Sequence, residues 1–473
     1  MKNTFLGFTI FGTLAIFNSA YSVELSGFIA SKSDFGRPRI YGLFPTDRVP
    51  EFQETVELNL ISKAQPAESV RIYGDLSAFG KLGFQFLTAD SKGSAVAGKP
   101  EKKDRYTAWL SINELYLNYE IAPQLSVLAG KKRVMWGSGF SSNPTDLLNP
   151  PKNAIDPAAQ RKGSWLGLIE NTYEKVTLSA LGAAEVQDND AGFPEKIYRF
   201  SDLNSGARQN HFIFAMRAYS LVSEGDLNGM IYYSNLYQDM FEKKLRGGVS
   251  YSKYATKKLE LHSEILLQQG SSRQFVNSNC LRANPLLCSK NKIPLFADSR
   301  LKDKSFRPQL LVGGRFDFEN ESSLTAEFLH QDDGYSAAEF KDFVHLMSFI
   351  KEYRLRGGAS VVNTEGGETD VKSAGKMLMK NYVIINFQRY KFEEDVWGGF
   401  SWILNLQDAS GLVSPALTWN PQDWCSFGFS TLATYSLSKT LGATRDENDN
   451  RNTTEYDLFP SSYRFSLDMK AFF

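Results

Sequence analysis

Histidine and cysteine are nearly missing from this chain, with 4 and 3 copies in 473 residues. That scarcity leaves little material for a metal centre or a cysteine nucleophile, and no helical metal motif, Walker loop or dinucleotide fingerprint is present. Net charge is also missing: Lys+Arg and Asp+Glu stand at 53 each, whereas a nucleic-acid binder would show a basic excess. Long hydrophobic runs are absent beyond the N-terminus, and a membrane helix would need about 20 apolar residues in succession. What is abundant is aromatic residues, at 13% with 35 Phe and 21 Tyr, together with 36 Gly and a 22% share of charged residues. An aromatic, glycine-rich chain of ordinary polarity suits a β-rich protein.

The N-terminus reads as an address. Lys2 supplies a positive start, Phe5 to Phe17 is apolar apart from Gly and Thr, and Ala20-Tyr21-Ser22 offers small residues for cleavage. Residues 1–22 are thus expected to be a signal peptide, with 23–473 forming the mature chain. No lipobox cysteine lies near the cleavage point, so no lipid anchor is expected.

Beyond the leader, apolar and polar residues alternate with the period of strands. Tyr463, Phe465, Leu467, Met469, Ala471 and Phe473 alternate with Arg464, Ser466, Asp468 and Lys470. The same pattern runs through Leu245, Gly247, Val249 and Tyr251 against Lys244 and Arg246. It recurs through Leu259, Leu261, Ile265 and Leu267 against Glu260 and Glu264, and through Phe306, Leu310, Val312, Phe316 and Phe318 against Arg307, Arg315 and Asp317. A terminal alternating strand that stops on Phe473 resembles the C-terminal signature of bacterial outer-membrane β-barrels. In that group the final aromatic serves as an assembly signal, which implies the barrel-assembly machinery and outer-membrane lipid as partners.

Connection lengths sharpen the reading. Eighteen alternating runs are separated by tight turns after each even-numbered run, such as Ala122-Pro123, Tyr173-Glu174 and Phe392-Glu393. Long connections follow most odd-numbered runs, near 34–50, 90–104, 136–162, 188–209, 271–304, 332–378 and 438–460, while those near 239 and 408 are short. Tight turns on one side and long loops on the other are the rule for outer-membrane barrels. The expected fold is an all-β transmembrane antiparallel barrel of about 18 strands, with 14 or 16 as the open alternatives. A cylinder this wide encloses water, where about eight strands would be filled by side chains.

Selectivity would then lie inside. With the apolar set on lipid, the lining residues of the cleanest strands are Lys244, Arg246, Glu260, Glu264, Arg307, Arg315, Asp317, Arg464, Asp468 and Lys470. Basic members slightly outnumber acidic ones there, which favours weak anion preference. The third long connection, about 136–162, carries Trp136-Gly137-Ser138-Gly139 and then Pro144, Pro150, Pro151 and Pro157, a stiff path whose shape is expected to matter. In porins generally the third extracellular loop folds inward. Its place here implies a constriction, with Lys131, Lys132 and Arg133 facing Asp146 and Asp156 and with Trp136 in the same element; a rigid surface lid is the alternative. The Arg-x-x-Trp-Gly-x-Gly run is similar to loops of porin-type barrels of Gram-negative bacteria.

Three smaller expectations follow. Ala337 to Arg356 shows helical spacing in Phe340, Phe343, Leu346, Met347, Ile350 and Tyr353, giving a short helix at the rim or in the mouth. Cys280 and Cys288 share one loop of an exported chain and are expected to form a disulfide, leaving Cys425 unpaired on a lipid-facing strand position. The histidines give no catalytic pair, since His262 and Ser263 fall on opposite faces of a strand. The chain reads as no enzyme and as needing no cofactor. It reads as an outer-membrane channel of a Gram-negative bacterium for passive diffusion of small polar or charged solutes, with homo-oligomers left open. The alternatives are a loop-plugged barrel acting as adhesin, receptor or structural protein, and a polysaccharide or lipid exporter.

Overall fold

The computed structural model describes residues 23–38, 52–84, 105–149, 152, 154–156, 163–184, 212–234, 244–270, 275–277, 279, 296–297, 305–355, 377–437, 454–458 and 461–473. Each expected alternating run forms a strand. The first nine are β1 (Val23–Pro38), β2 (Phe52–Ala67), β3 (Val70–Phe84), β4 (Arg105–Ala122), β5 (Leu125–Lys132), β6 (Ser164–Tyr173), β7 (Val176–Ala184), β8 (Phe212–Val222) and β9 (Gly225–Ser234). Then come β10 (Lys244–Tyr254) and β11 (Leu259–Gln269), followed by a small pair, β12 (Phe275–Val276) and β13 (Phe296–Ala297), that alternation did not signal. The rest are β14 (Phe306–Asp317), β15 (Ser323–Gln331), β16 (Asn381–Glu393), β17 (Val396–Asn405), β18 (Ser410–Gln422), β19 (Cys425–Ser436) and β20 (Ser461–Phe472).

Apart from β12 and β13, every strand pairs antiparallel with the strands before and after it, and β1 pairs with both β2 and β20. Eighteen strands therefore close into a cylinder with no free edge. Closure lets every strand residue pair its backbone polar groups within the sheet, the condition for crossing lipid. At the seam, the Gly27 N–H donates to the Phe473 carbonyl and the Phe473 N–H to the Gly27 carbonyl, both at 3.0 Å. A Cβ on Gly27 would strike the Asn59 carbonyl and then the Phe473 ring, so this is one position where glycine is required. The short turns use positive φ where the strand twist demands it: Ser223 and Glu224 sit at 51° and 63° between Val222 and Gly225, matching a type I′ hairpin.

The two faces of the wall divide as the alternation foretold. Leu58, Leu110, Leu178, Phe214, Val249, Ile265, Val312, Phe400, Phe429 and Leu467 are exposed large hydrophobics on the outer face. Their in-between neighbours turn inward. Cys425 shares its parity with the exposed Phe427 and Phe429 but is itself 7% exposed, and it is a free thiol. The expected lipid-facing cysteine is thus covered, beside the seam where β19 pairs with the terminal strand. Cys280 and Cys288 lie outside the described residues.

Buried hydrophobic side chains form two clusters, both on the inner face of the cylinder. One joins Leu311, Leu329, Ile384, Ile403 and Leu412 of the wall to Tyr335, Leu378, Met379, Tyr456 and Leu458 and to helix α1 (Ala337–Leu355) through Phe340, Phe343, Val344 and Leu346. The helix begins with a capping box: the Ser336 N–H donates to Glu339 Oε2 at 2.8 Å and the Glu339 N–H to Ser336 Oγ at 3.3 Å. The helix expected at the rim or mouth therefore packs into the interior. The second cluster joins Trp136, Val134 and Leu148 to Leu128, Leu166, Leu168, Leu181, Ile213, Met230 and Tyr232 of β5 to β9.

Candidate functional site

Chain segment Arg133 to Asn149 leaves the top of the short strand β5 and lies on the inner face of the wall. Trp136 starts it: the indole is 1% exposed, its ring centroid lies 6.0 Å from that of Tyr232, and the Arg217 guanidinium stands 5.2 Å over it. Gly137 follows at φ 134°, where a Cβ would collide with Asn143 Oδ1, Thr145 Oγ1 and Glu264 Oε1. At Gly139 a Cβ would run into the Ser142 carbonyl and Leu311. The glycines of Trp-Gly-Ser-Gly are there because the backbone touches the wall at both places.

Two wall carboxylates gather that backbone. Glu264 of β11 accepts from the Ser138 N–H (2.6 Å), the Gly139 N–H (2.5 Å), the Thr145 N–H (3.0 Å) and Thr145 Oγ1 (2.8 Å). Glu327 of β15 accepts from the N–H groups of Phe140 (2.6 Å), Ser141 (2.8 Å) and Ser142 (3.3 Å), with His262 Nε2 at 2.8 Å. Both are buried, at 0% and 2% exposure. A buried carboxylate is costly without partners, and charge-assisted hydrogen bonds, each about 1.5–3 kcal/mol, offset that cost. Gly313 makes room for the pair, since a Cβ there would strike Glu327 Cγ and His262 Nε2.

Further hydrogen bonds, local and remote, hold the segment, while Asn149 Oδ1 is buried without a partner among the described residues. The Asp146 N–H donates to the Asn143 carbonyl at 3.1 Å, and Asn149 Nδ2 donates to the Val134 carbonyl (2.7 Å) and to both Asp146 oxygens (2.8 and 3.0 Å). Tyr232 Oη donates to the Thr145 carbonyl at 2.7 Å, Asn386 Nδ2 to Ser141 Oγ at 2.6 Å, and Ser401 Oγ to the Ile155 carbonyl at 2.6 Å. The path thus contacts strands from β9 to β17, which only an interior course permits.

The residues read as a constriction occupy varied places. Lys131 and Trp136 are fully buried and Asp146 nearly so. Lys132 lies over the Tyr116 ring at 4.6 Å, and Arg133 turns to the wall, its Nη2 3.7 Å from Glu114. Asp156 is the exposed member of the six. Trp136 thus seals the segment onto the wall instead of projecting across the lumen.

All ten residues read as lining have inward parity, but their exposure differs. Glu264 and Arg246 are covered, at 0% and 9%, so neither meets lumen water; the inward segment lies over Glu264. Arg307 pairs with Asp332 at 2.9 Å and Arg315 with Asp317 at 2.8 Å. Glu260 lies cross-strand from Arg315 and is half-buried. Only the strand position of Lys244 is described. Arg464, Asp468 and Lys470 are half-exposed on β20. Sequence reasoning passed over Glu327 and Thr145, and it weighed His262 only as a catalytic partner of Ser263, not as a contact of Glu327. A glutamate on the inward side of the regular β15 alternation was the available signal for the first.

A contrast around the circumference emerges. Inward residues from β6 to β18 are mostly buried: Leu166, Leu181, Ala215, Met230, Ser250, Leu266, Leu311, Thr325, Ile384, Asn405 and Leu412 all fall below 9%. From β19 through β20, β1 and β2 the inner wall keeps partly exposed charge. Lys32 is 51% exposed at its side chain and lies 3.9 Å from Asp34, cross-strand from Asp468; Lys470 lies 5.4 Å over Phe28. Glu57 accepts from Ser77 Oγ at 2.8 Å. On β2 to β4, Asn59, Asp75, Ser77 and Asn113 form a closed hydrogen-bonded lattice. Asp75 Oδ1 accepts from Asn59 Nδ2 at 2.6 Å and from Asn113 Nδ2 at 3.0 Å. Asn113 reaches it from a β-bulge in β4.

Outside the strands, burial works to raise the Asp332 carboxyl, but the hydrogen bonds and charges of Lys380 and Arg307 outweigh it and hold the group below the ordinary aspartate range. Tyr456, buried beside Glu455 and Asp408, is pushed well above the ordinary phenol range by burial and then by those charges. Glu455 joins the filling to the wall, accepting from the Leu378 N–H (2.5 Å), from Tyr382 Oη of β16 (2.6 Å) and from Asn405 Nδ2 of β17 (2.5 Å). Among the described residues no cluster of His, Cys, Asp or Glu has the makings of a metal site.

No protein-family model matches this sequence, and no curated protein matches it. Among solved structures the chain is similar to OccAB3 of Acinetobacter baumannii, with 9% identity and a TM-score of 0.47 over 96% of this chain and 99% of the other. It is similar to OccK8 (OprE) of Pseudomonas aeruginosa at 10% identity, with a TM-score of 0.47 and 96% and 98% covered. It is likewise similar to OccAB1 of A. baumannii, at 8% identity, a TM-score of 0.47 and 96% of each chain covered.

Proposed function

We propose that this chain is an outer-membrane channel of a Gram-negative bacterium through which small polar or charged solutes diffuse passively. The observation that carries the reading is the pairing of a closed, externally apolar cylinder with an inner arc, β19 to β2, that retains water-accessible charge. The solute route runs along that arc, beside the filled remainder of the lumen. Lys32, Glu57, Arg464, Asp468 and Lys470 line it, with Asp34 covered beside them, and the segment Arg133 to Asn149 narrows it from the far side. Mixed signs along the arc orient a dipolar solute without trapping it, and its uncovered charges, three cations (Lys32, Arg464, Lys470) against two carboxylates (Glu57, Asp468), give weak anion preference. Residues 1–22 direct export, and the exposed Phe473 is the assembly signal.

A loop-plugged barrel serving as receptor, adhesin or structural protein is the second reading, favoured by the two apolar clusters that occupy the interior against β6 to β18. An exporter of polysaccharide or lipid would present a stripe of one sign, whereas Lys32 and Asp468 alternate with Asp34 and Lys470 across one strand pair. Reconstitution into planar bilayers tests the choice. Discrete conductance steps with a reversal potential on the anion side are expected; a folded barrel that gives no steps would favour the plugged reading.

A further inference from the structure

We infer that Glu264 and Glu327 are positioning residues that set the width of the solute route, acting through the backbone of the inward segment. This deepens the channel reading and rests on it. The segment lacks regular secondary structure of its own between Arg133 and Asn149, so no repeating backbone pattern fixes the direction of the amides from Ser138 to Ser142. The two carboxylates do. Six N–H groups, those of Ser138, Gly139, Phe140, Ser141, Ser142 and Thr145, converge on their four oxygens.

Such convergent amides form a concave site for a negative charge. Ordinarily the peptide supplies the nest and a ligand supplies the anion; here the barrel wall supplies the anion. Negative charge is essential to the arrangement, because a neutral amide of the same shape offers one acceptor oxygen and two donors that face other donors. His262 adds to this on the Glu327 side, in contact at Nε2, and Gly313 and Gly248 leave the space in which carboxylate and loop meet.

The geometry fixes what the staple controls. Phe140 lies between the two carboxylate anchors, and its ring lies 5.4 Å from the Arg315 guanidinium. Lys152 Nζ donates to the carbonyls of Gly139 (2.5 Å) and Phe140 (2.9 Å), so the segment's two strands of chain are tied at the same point. Neutralising the wall charges unties the middle of the segment while leaving Trp136 and Asn149 to hold its ends.

Glu264→Gln, Glu327→Gln and the double variant test this in the full-length barrel, with closure checked by heat-modifiable migration. Amide hydrogen exchange of residues 138–142 and 145 is expected to rise at least tenfold in the double variant, with strand amides unchanged. Single-channel conductance is expected to change about twofold or to split into several levels. Glu319→Gln, exposed in a turn, is expected to leave both readouts at the parent value. Unchanged exchange in a closed double variant overturns the inference, as does a conductance identical to that of a conducting parent. If the parent never conducts, the channel reading fails, and the exchange result alone decides whether the carboxylates seat the segment. Should the double variant fail to close, Thr145→Val, which removes one hydrogen bond to Glu264, is expected to give a smaller rise in exchange confined to the same residues, and no rise there counts against the inference.

Discussion

The inner wall has two halves of different kinds. From β6 to β18 it behaves like the core of a soluble domain: inward Leu, Ile, Met and Tyr pack against helix α1 and the inward segment, and the buried carboxylates Glu264 and Glu327 are consumed by backbone amides. From β19 to β2 the same strand alternation presents Lys32, Asp34, Arg464, Asp468 and Lys470 to the interior, with few of them covered. Identical local structure thus yields a packed core on one arc and a wet surface on the other. What distinguishes them is the set of segments that fold onto each.

The comparison can be broken most severely at Gly137. Gly137→Val places a branched side chain at φ 134°, against Asn143, Thr145 and Glu264, so the segment cannot seat. The expected result is loss of a single conductance level and its replacement by several. Next comes Phe343→Ala in the filled half, a fully buried ring whose removal is expected to cost about 3–5 kcal/mol. Urea or thermal unfolding in detergent would measure it, with ion preference unchanged.

Charge reversal sharpens the contrast further. Lys470→Glu with Arg464→Glu is expected to move the reversal potential toward cations, whereas Arg246→Gln, at a covered cation, leaves it in place while lowering stability. An equal shift from both sets would erase the distinction between the halves. A smaller effect is expected at Asp332. Its folded carboxyl is held below the unfolded value by Lys380 and Arg307, so it stabilises the fold above about pH 4 and that contribution is lost as pH falls through the depressed value. Parent and Asp332→Asn should therefore differ in unfolding midpoint at pH 7 and converge under strong acid. Smallest of all is Lys258→Met. Its partner Glu319 is fully exposed and lowered by the hydrogen bond and charge of Lys258, and breaking an exposed turn pair is expected to leave the midpoint unmoved.

The strands were legible because alternation is a local property. The two-residue repeat sends Leu467, Ile265 and Val312 to the apolar outer face whatever the distant chain does, and all eighteen runs emerge where the pattern put them. Inward parity of Arg246, Glu264 and Arg464 was legible for the same reason. Their different fates were not, since nothing in β11 announces that residues 138–145 will cover Glu264. Cys425 likewise has outward parity and yet is buried. The Trp-Gly-Ser-Gly run signalled an unusual path, but its contact with β15 and β16 joins residues about 185 to 245 positions apart, beyond the reach of any periodicity.

Sequence alone determined most of the wall: its all-β character, a strand number near eighteen, the inward or outward sense of the side chains in its cleanest strands and the helix within the loop. These follow from the repeat of the strand and from the solvent on each face, and closure settled the count at eighteen. Only the tertiary structure decided what the wall encloses. Once the cylinder closes, segments remote along the chain compete for one interior, and amide groups that water would otherwise satisfy must find Glu264 and Glu327. That pairing depends on three-dimensional proximity, which fixes both the filled arc and the route left beside it.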